Sequence, residues 1–206
     1  MKNIRAIIFD LGGVILNINY QNTIDNFKKL GIQNPKCFYS KKIQTDIFNQ
    51  IEKGEISKEE FLLKLQKETI GASIKKIEHA WNSMLLNLPK RRVSFLKRIR
   101  KHYPIFLLSN TNAIHISKFK KNLGITRYNK FYNLFEKVYY SHEIGCRKPQ
   151  AKIFKILLTE NKLSAHEVLF IDDSIQHIKS AKKIGIKTHH LQHNEEITTL
   201  FPDIIR

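Results

Sequence analysis

Four residues near the N-terminus, Ala6-Ile7-Ile8-Phe9, constrain the fold more than any other stretch. This apolar run, rich in β-branched side chains, is too short for a buried helix and lacks the alternation of a half-exposed strand. It predicts a strand buried on both faces in a parallel sheet. Asp10 follows at once, and Gly12 and Gly13 let the backbone turn tightly and approach a ligand. A carboxylate at the carboxyl end of a buried parallel strand stands where open α/β sheets bind their ligands.

After Leu16 the periodicity turns helical and stays so to about residue 88. Helices are expected over Thr23 to Leu30, stopped by Gly31, and over 41–53, stopped by Gly54. A third begins at a capping box in which Ser57 caps and Glu60 reaches back, with Phe61, Leu62 and Leu65 on its apolar face. A fourth starts at Ser73 with Ile74, Ile77, Trp81, Met84 and Leu85 on one stripe, which reads as packing. From residue 90 the pattern alternates. A helix through Val93, Leu96 and Ile99 leads to a strand 104–108, and a helix from about Ile114 to Leu123 stops at Gly124. A strand 138–140, a helix from Pro149 to about Glu160, a strand 168–171, a helix closing at Gly185 and a strand 187–191 complete the chain. Repeated βα units imply right-handed crossovers, hence an α/β fold with a parallel sheet and helices on both faces.

The 206 residues suffice for one such domain plus an insertion. No stretch approaches the ~20 apolar residues of a membrane span, and with a strand at the N-terminus the layout is not that of a signal peptide, so a cytoplasmic protein is expected. Cys37 and Cys146 lie far apart and read as free thiols. Arg147 and Lys148 would favour a thiolate at Cys146, but a passive thiol is the simpler reading. The net charge of +18 is unusual and raises nucleic-acid binding. The basic residues, however, fall in scattered pairs (Lys41-Lys42, Lys75-Lys76, Lys120-Lys121, Lys182-Lys183) without interleaved aromatics, so nucleic acid is not the expected partner. His189, His190 and His193 straddle a strand and a polar tail and are not expected to form a metal site.

Asp10, Ser109, Lys148 and the pair Asp172-Asp173 all lie at strand ends or just after them, and in a parallel sheet these ends converge on one edge. Three close carboxylates raise one another's pKa unless a cation intervenes. Their hard, sulfur-free oxygens suit Mg²⁺, with waters completing its octahedron. Lys148 precedes Pro149, a favoured first helical residue. A cation there opposes the helix dipole by ~0.3–1 kcal/mol, so a negative group such as a bound phosphate is expected beside it.

Asp10-Leu11-Gly12-Gly13-Val14, Leu108-Ser109-Asn110, Arg147-Lys148-Pro149 and Phe170-Ile171-Asp172-Asp173 together resemble the four ordered motifs of the haloacid dehalogenase-like (HAD) hydrolases. The likeness runs closest to bacterial sugar-phosphate phosphatases of the α-D-glucose-1-phosphate type. It implies a Rossmann-like core over 1–16 and 90–206 and a four-helix C1 cap over 17–89. It also implies a Mg²⁺-dependent phosphatase acting on a small phosphorylated metabolite. By the same resemblance Asp10 is the nucleophile, and Asp10, Asp173 and the Gly12 backbone carbonyl bind Mg²⁺, with Asp172 a ligand or a ligand's partner. Ser109 and the Asn110 backbone N–H hold phosphate oxygens, and Lys148 neutralises the transferring group. Replacing Lys148 is accordingly expected to lower turnover far more than stability. A monomer or weak dimer is expected.

The departure is Gly12, where most phosphatases of this superfamily carry a second Asp as general acid and base, a group typically worth ~10²–10⁴-fold. The glucose-1-phosphate type shares this gap. A 2-haloacid dehalogenase also lacks that Asp but works without Mg²⁺ and without the Asp172-Asp173 pair. That chemistry, and a silent domain binding a phosphorylated ligand or nucleic acid, are the alternatives.

Overall fold

The computed structural model describes residues 3–35 and 46–202. Cys37, the Lys41-Lys42 pair and the first part of the helix expected over 41–53 lie outside these residues. Five parallel strands form the sheet: β1 (Ala6–Phe9), β2 (Ile105–Ser109), β3 (Lys137–Tyr140), β4 (Val168–Asp172) and β5 (Lys187–His190), in the order β3-β2-β1-β4-β5. β1 is central, with Ile8 opposite both Phe106 and Phe170, and its four residues are completely buried. Its side chains alternate between two cores, as the pleat requires.

Ile7 and Phe9 pack on one face with Phe95, Leu96 and Ile99 of α5 (Lys90–Ile99), Phe119 of α6 (Ala113–Leu123) and Tyr128 and Phe131 of α7 (Ile125–Tyr132). Ala6 and Ile8 pack on the other with Phe154 and Leu157 of α9 (Ala151–Glu160) and Ile178 and Ala181 of α10 (Ile175–Lys183). A four-residue helix, α8 (Ser141–Ile144), joins β3 to the loop before α9.

Between β1 and α5 the described chain holds four helices: α1 (Tyr20–Lys29), α2 (Asp46–Glu52), α3 (Lys58–Lys67) and α4 (Ile74–Asn82). They share a separate core in which Trp81 lies 5.2 Å, ring to ring, from both Phe48 and Phe61 and stacks on Phe27 at 6.3 Å. Ile114 at the start of α6 enters this core, and Trp81 also stacks on His115 at 4.5 Å. The outgoing and returning chains pair with each other: Leu86 N–H donates to Asn17 O, Asn17 N–H to Asn87 O and Asn19 N–H to Met84 O. The turn after α2 presses on α8. A Cβ on Gly54, at φ +69°, would lie 2.2 Å from His142 O, so glycine is required twice over.

Several expectations need correction. The chain after Gly124 is helical again, as α7; Tyr128 and Phe131 are its buried residues, and its eight residues span barely two turns, too short a window for their periodicity to stand out. Helix α9 starts at Ala151 with Gln150 as its cap, so Pro149 is not its first residue. Met84 and Leu85 lie beyond α4 in the returning chain, Met84 buried and Leu85 partly so. Ser57 Oγ caps α3 by accepting from Glu60 N–H, while the Glu60 carboxylate pairs with Lys64.

Trp81→Ala should lower the unfolding free energy by about 3–5 kcal/mol and the melting temperature by roughly 6–20 °C. A thermal melt followed by circular dichroism checks this, and a change below 1 °C would mean that the helical segment does not depend on this ring.

Candidate active site

Asp10 leaves β1 with its N–H donated to Ile171 O at 3.0 Å, which locks it beside the end of β4. Gly13 makes the next turn at φ +81°, and a Cβ there would lie 2.3 Å from Asp173 Oδ2. Only glycine lets the Asp10 loop and the Asp173 carboxylate approach so closely. Carboxylate oxygens of Asp10, Asp172 and Asp173 can all lie within 4.8 Å of one another. Ser109, buried at the end of β2, lines the same cleft with Asn110. Its Oγ is 3.5 Å from Asn110 O, at the limit of a hydrogen bond, which leaves the hydroxyl available to a ligand.

Lys148 is wholly buried. Its ammonium donates to Asp10 Oδ1 at 2.6 Å, Asp172 Oδ2 at 2.7 Å and Leu108 O at 2.8 Å, which uses all three of its donors. The negative partners expected for this lysine are therefore the protein's own carboxylates, and it does not stand at a helix N-terminus. Burial alone would pull its pKa down, but Asp10 and Asp172 outweigh it and the net shift is upward. For Asp10, burial dominates and raises the pKa, with Asp172 and Asp173 adding to it against the pull of Lys148. Asp172 goes the other way. Burial disfavours its charge, but Lys148 and His177 hold it well below the usual carboxylate range.

Two supports fix this arrangement. The Asn110 side chain clamps the Lys148 backbone, accepting from its N–H at 2.9 Å and donating to its C=O at 2.8 Å. That amide is committed to the lysine, so what Asn110 can offer a ligand is its backbone N–H. Asp172 Oδ1 accepts from Ser174 N–H at 2.7 Å, and His177 Nδ1 lies 3.1 Å from both its oxygens. Burial pulls the His177 pKa down, against the upward pull of Asp172.

Gly12 lines the cleft, but a Cβ there would meet Ile18 Cδ1 at 3.0 Å. A longer side chain at this position would require Ile18 to give way. Tyr20, Glu52, His115, Arg147 and His177 also face the cleft. Sequence reasoning assigned none of them a role. Arg147 lay within a quoted motif, whereas nothing local marks Glu52 at the end of α2 or His177 in the first turn of α10. His189 instead pairs with Glu195 at 2.9 Å, and His190 Nε2 lies 3.3 Å from Asp173 O. Cys146 is buried and burial pushes its thiol up, against the weaker pull of Lys152, as befits a passive thiol.

Residues 7–191 match the model of the haloacid dehalogenase-like hydrolases. The chain belongs to that family. It is 29% identical over 187 residues to a D-ribitol-5-phosphate phosphatase of Bacteroides thetaiotaomicron, covering 90% of each chain. Among solved structures it resembles a HAD family enzyme of the same organism, an aspartate-to-alanine variant in complex with magnesium and inorganic phosphate. The TM-score is 0.89 at 36% identity, over 96% of this chain and 98% of that one. A 2-haloacid dehalogenase from Pseudomonas syringae, 15% identical with a TM-score of 0.59 over 98% of each chain, shares the HAD fold alone. Among the described residues no helix is long and apolar enough to cross a membrane.

The burial of Lys148 amends the expectation for its removal. Lys148→Ala strands two buried carboxylates, so the metal-free protein should lose about 3–5 kcal/mol of stability at neutral pH in addition to its activity. Urea unfolding reads this, and unchanged stability would show that Asp10 and Asp172 reach solvent in the native state.

Proposed function

We propose that the chain is a Mg²⁺-dependent phosphatase that hydrolyses a small sugar or polyol phosphate through an aspartyl-phosphate on Asp10. The observation that carries this reading is the convergence of Asp10, Asp172, Asp173 and Lys148 at one edge of the parallel sheet. The kinship with a named sugar-alcohol phosphatase supports the substrate class.

The donor set fits the metal: three hard carboxylates gathered in a largely buried cleft face only one lysine. Asp10, Asp173 and the Gly12 carbonyl would hold the ion, whose charge offsets that of the phosphoryl oxygens. Asp172 has both oxygens committed to Lys148, Ser174 and His177, and so acts by positioning the lysine. Lys148 engages Oδ1 of Asp10, which leaves Oδ2 to attack phosphorus. The bond from phosphorus to the leaving oxygen breaks as the Asp10–phosphorus bond forms, and the departing alkoxide takes a proton from water. Ser109 Oγ and the Asn110 N–H hold the phosphoryl oxygens, and Lys148 balances the charge on the transferring group. A second water then attacks phosphorus, releasing inorganic phosphate and restoring the Asp10 carboxylate. Both the departure and the later attack of water go without help from position 12, because Gly12 supplies neither an acid nor a base.

Residues 17–89 act as the cap, with hinges near 15–20 and 86–92, and their movement admits substrate and then excludes water. The retained Asp172-Asp173 pair argues against dehalogenation, which needs neither the metal nor its ligands.

Phosphate release from sugar phosphates, D-ribitol 5-phosphate and p-nitrophenyl phosphate should occur with Mg²⁺, cease with EDTA and fall roughly 10⁴-fold in Asp10→Asn. Release that survives either change would overturn the reading. If no ester is hydrolysed, halide release from 2-haloacids and then a salt-sensitive nucleic-acid gel shift test the two alternatives.

A further inference from the structure

Arg147 is tied across the molecule to the helical segment. Its Nε lies 2.8 Å from Glu52 Oε2, and its Nη1 donates to Asn49 Oδ1; both partners belong to α2. Arg147 adjoins Lys148, whose backbone the Asn110 side chain holds from both sides, so the guanidinium is carried on a fixed arm beside the reacting centre. The Glu52 and Arg147 side chains are only 8% and 17% exposed, yet both line the cleft that holds Asp10 and Ser109.

We propose that the Arg147–Glu52 pair reads hydroxyl groups on the leaving group, and so makes the protein prefer neutral polyol phosphates to phosphate esters that carry a further acid. This rests on the phosphatase reading above and specifies its substrate. An unpaired guanidinium beside a phosphate site would select a second anion, because its planar donors match a carboxylate or phosphate. Glu52 cancels that charge. What remains is a neutral pair offering N–H donors next to carboxylate lone pairs, the complement of a hydroxyl, which both donates and accepts. An acid on the leaving group would instead confront the Glu52 carboxylate, so the pair rejects as well as selects. Tyr20 adds a third hydroxyl-compatible group on the same side. Burial, with Asp173 and Glu52 nearby, pushes its pKa up and keeps the phenol protonated. Leu16, Ile18, Met84 and Leu85 add apolar lining to the same cleft.

The test compares kcat/KM for D-ribitol 5-phosphate and for phosphoglycolate, with Mg²⁺, in the wild type, Glu52→Gln and Arg147→Lys. The wild type should favour the polyol ester at least tenfold. Glu52→Gln leaves the Arg147 charge unbalanced and should lower that ratio at least tenfold. Arg147→Lys keeps the charge but loses the planar fork and should lower it severalfold, with a thermal melt confirming that each variant is folded. A ratio within twofold of the wild type in both variants, whether or not the absolute rates fall, would overturn the role of the pair and leave the phosphatase intact. A wild type that hydrolyses p-nitrophenyl phosphate but neither ester would overturn this inference alone, and one that releases phosphate from none of the three would overturn the phosphatase reading with it.

Discussion

The structure depends on one buried cation. Lys148 brings no solvent-exposed atom to the cleft, yet its ammonium ties the end of β1 through Asp10, the end of β2 through Leu108 O and the end of β4 through Asp172. Burying an ammonium and two carboxylates is costly, and attraction offsets the cost only when the geometry is tight and every donor is used. Here every donor is used. The remaining supports serve that geometry: the Asn110 clamp on the lysine backbone, and the Ser174 N–H and His177 ring on Asp172. The imbalance that remains, three carboxylates against one lysine, is what makes the cleft receptive to a divalent cation.

The same economy explains the two glycines after Asp10. Gly13 lets Asp173 come within a distance that any side chain would block, whereas Gly12 leaves a gap that Ile18 has come close to filling. The first supports metal-directed chemistry at this edge. The second withholds the group that would protonate a leaving oxygen, and it places an apolar side chain where a carboxyl would otherwise project.

The fold was legible where residues act locally. The Ala6–Phe9 run, the turn glycines and the strand-end polar residues mark the sheet and its active edge, because burial on both faces leaves an unbroken apolar signature. Gly31, Ser57 and Ser73 mark helix ends through caps that need only neighbours in sequence. Legibility ended where contacts are distant. Lys148 was visible as a residue, but its true partners lie 138 and 24 positions away, so a helix dipole and an anion were invoked in their place. Glu52 and Tyr20 carry no local signal, since their presence in the cleft follows from how the helical segment is seated. Helix α7 is not legible because its apolar stripe runs for barely two turns, too short for the helical period to declare itself.

The two chain segments that enter and leave the helical region lie side by side, bonded between Asn17, Leu86 and Asn87 and between Asn19 and Met84. A region whose ends meet within one strand spacing is, to the core, a closed loop of almost any length. The sheet with Asp10 and Lys148 can therefore keep its geometry while everything between Ile18 and Leu85 is exchanged. Three contacts then mark where the core meets the exchanged part: Arg147 reaching across to Glu52, His115 stacked on Trp81, and His142 against Gly54.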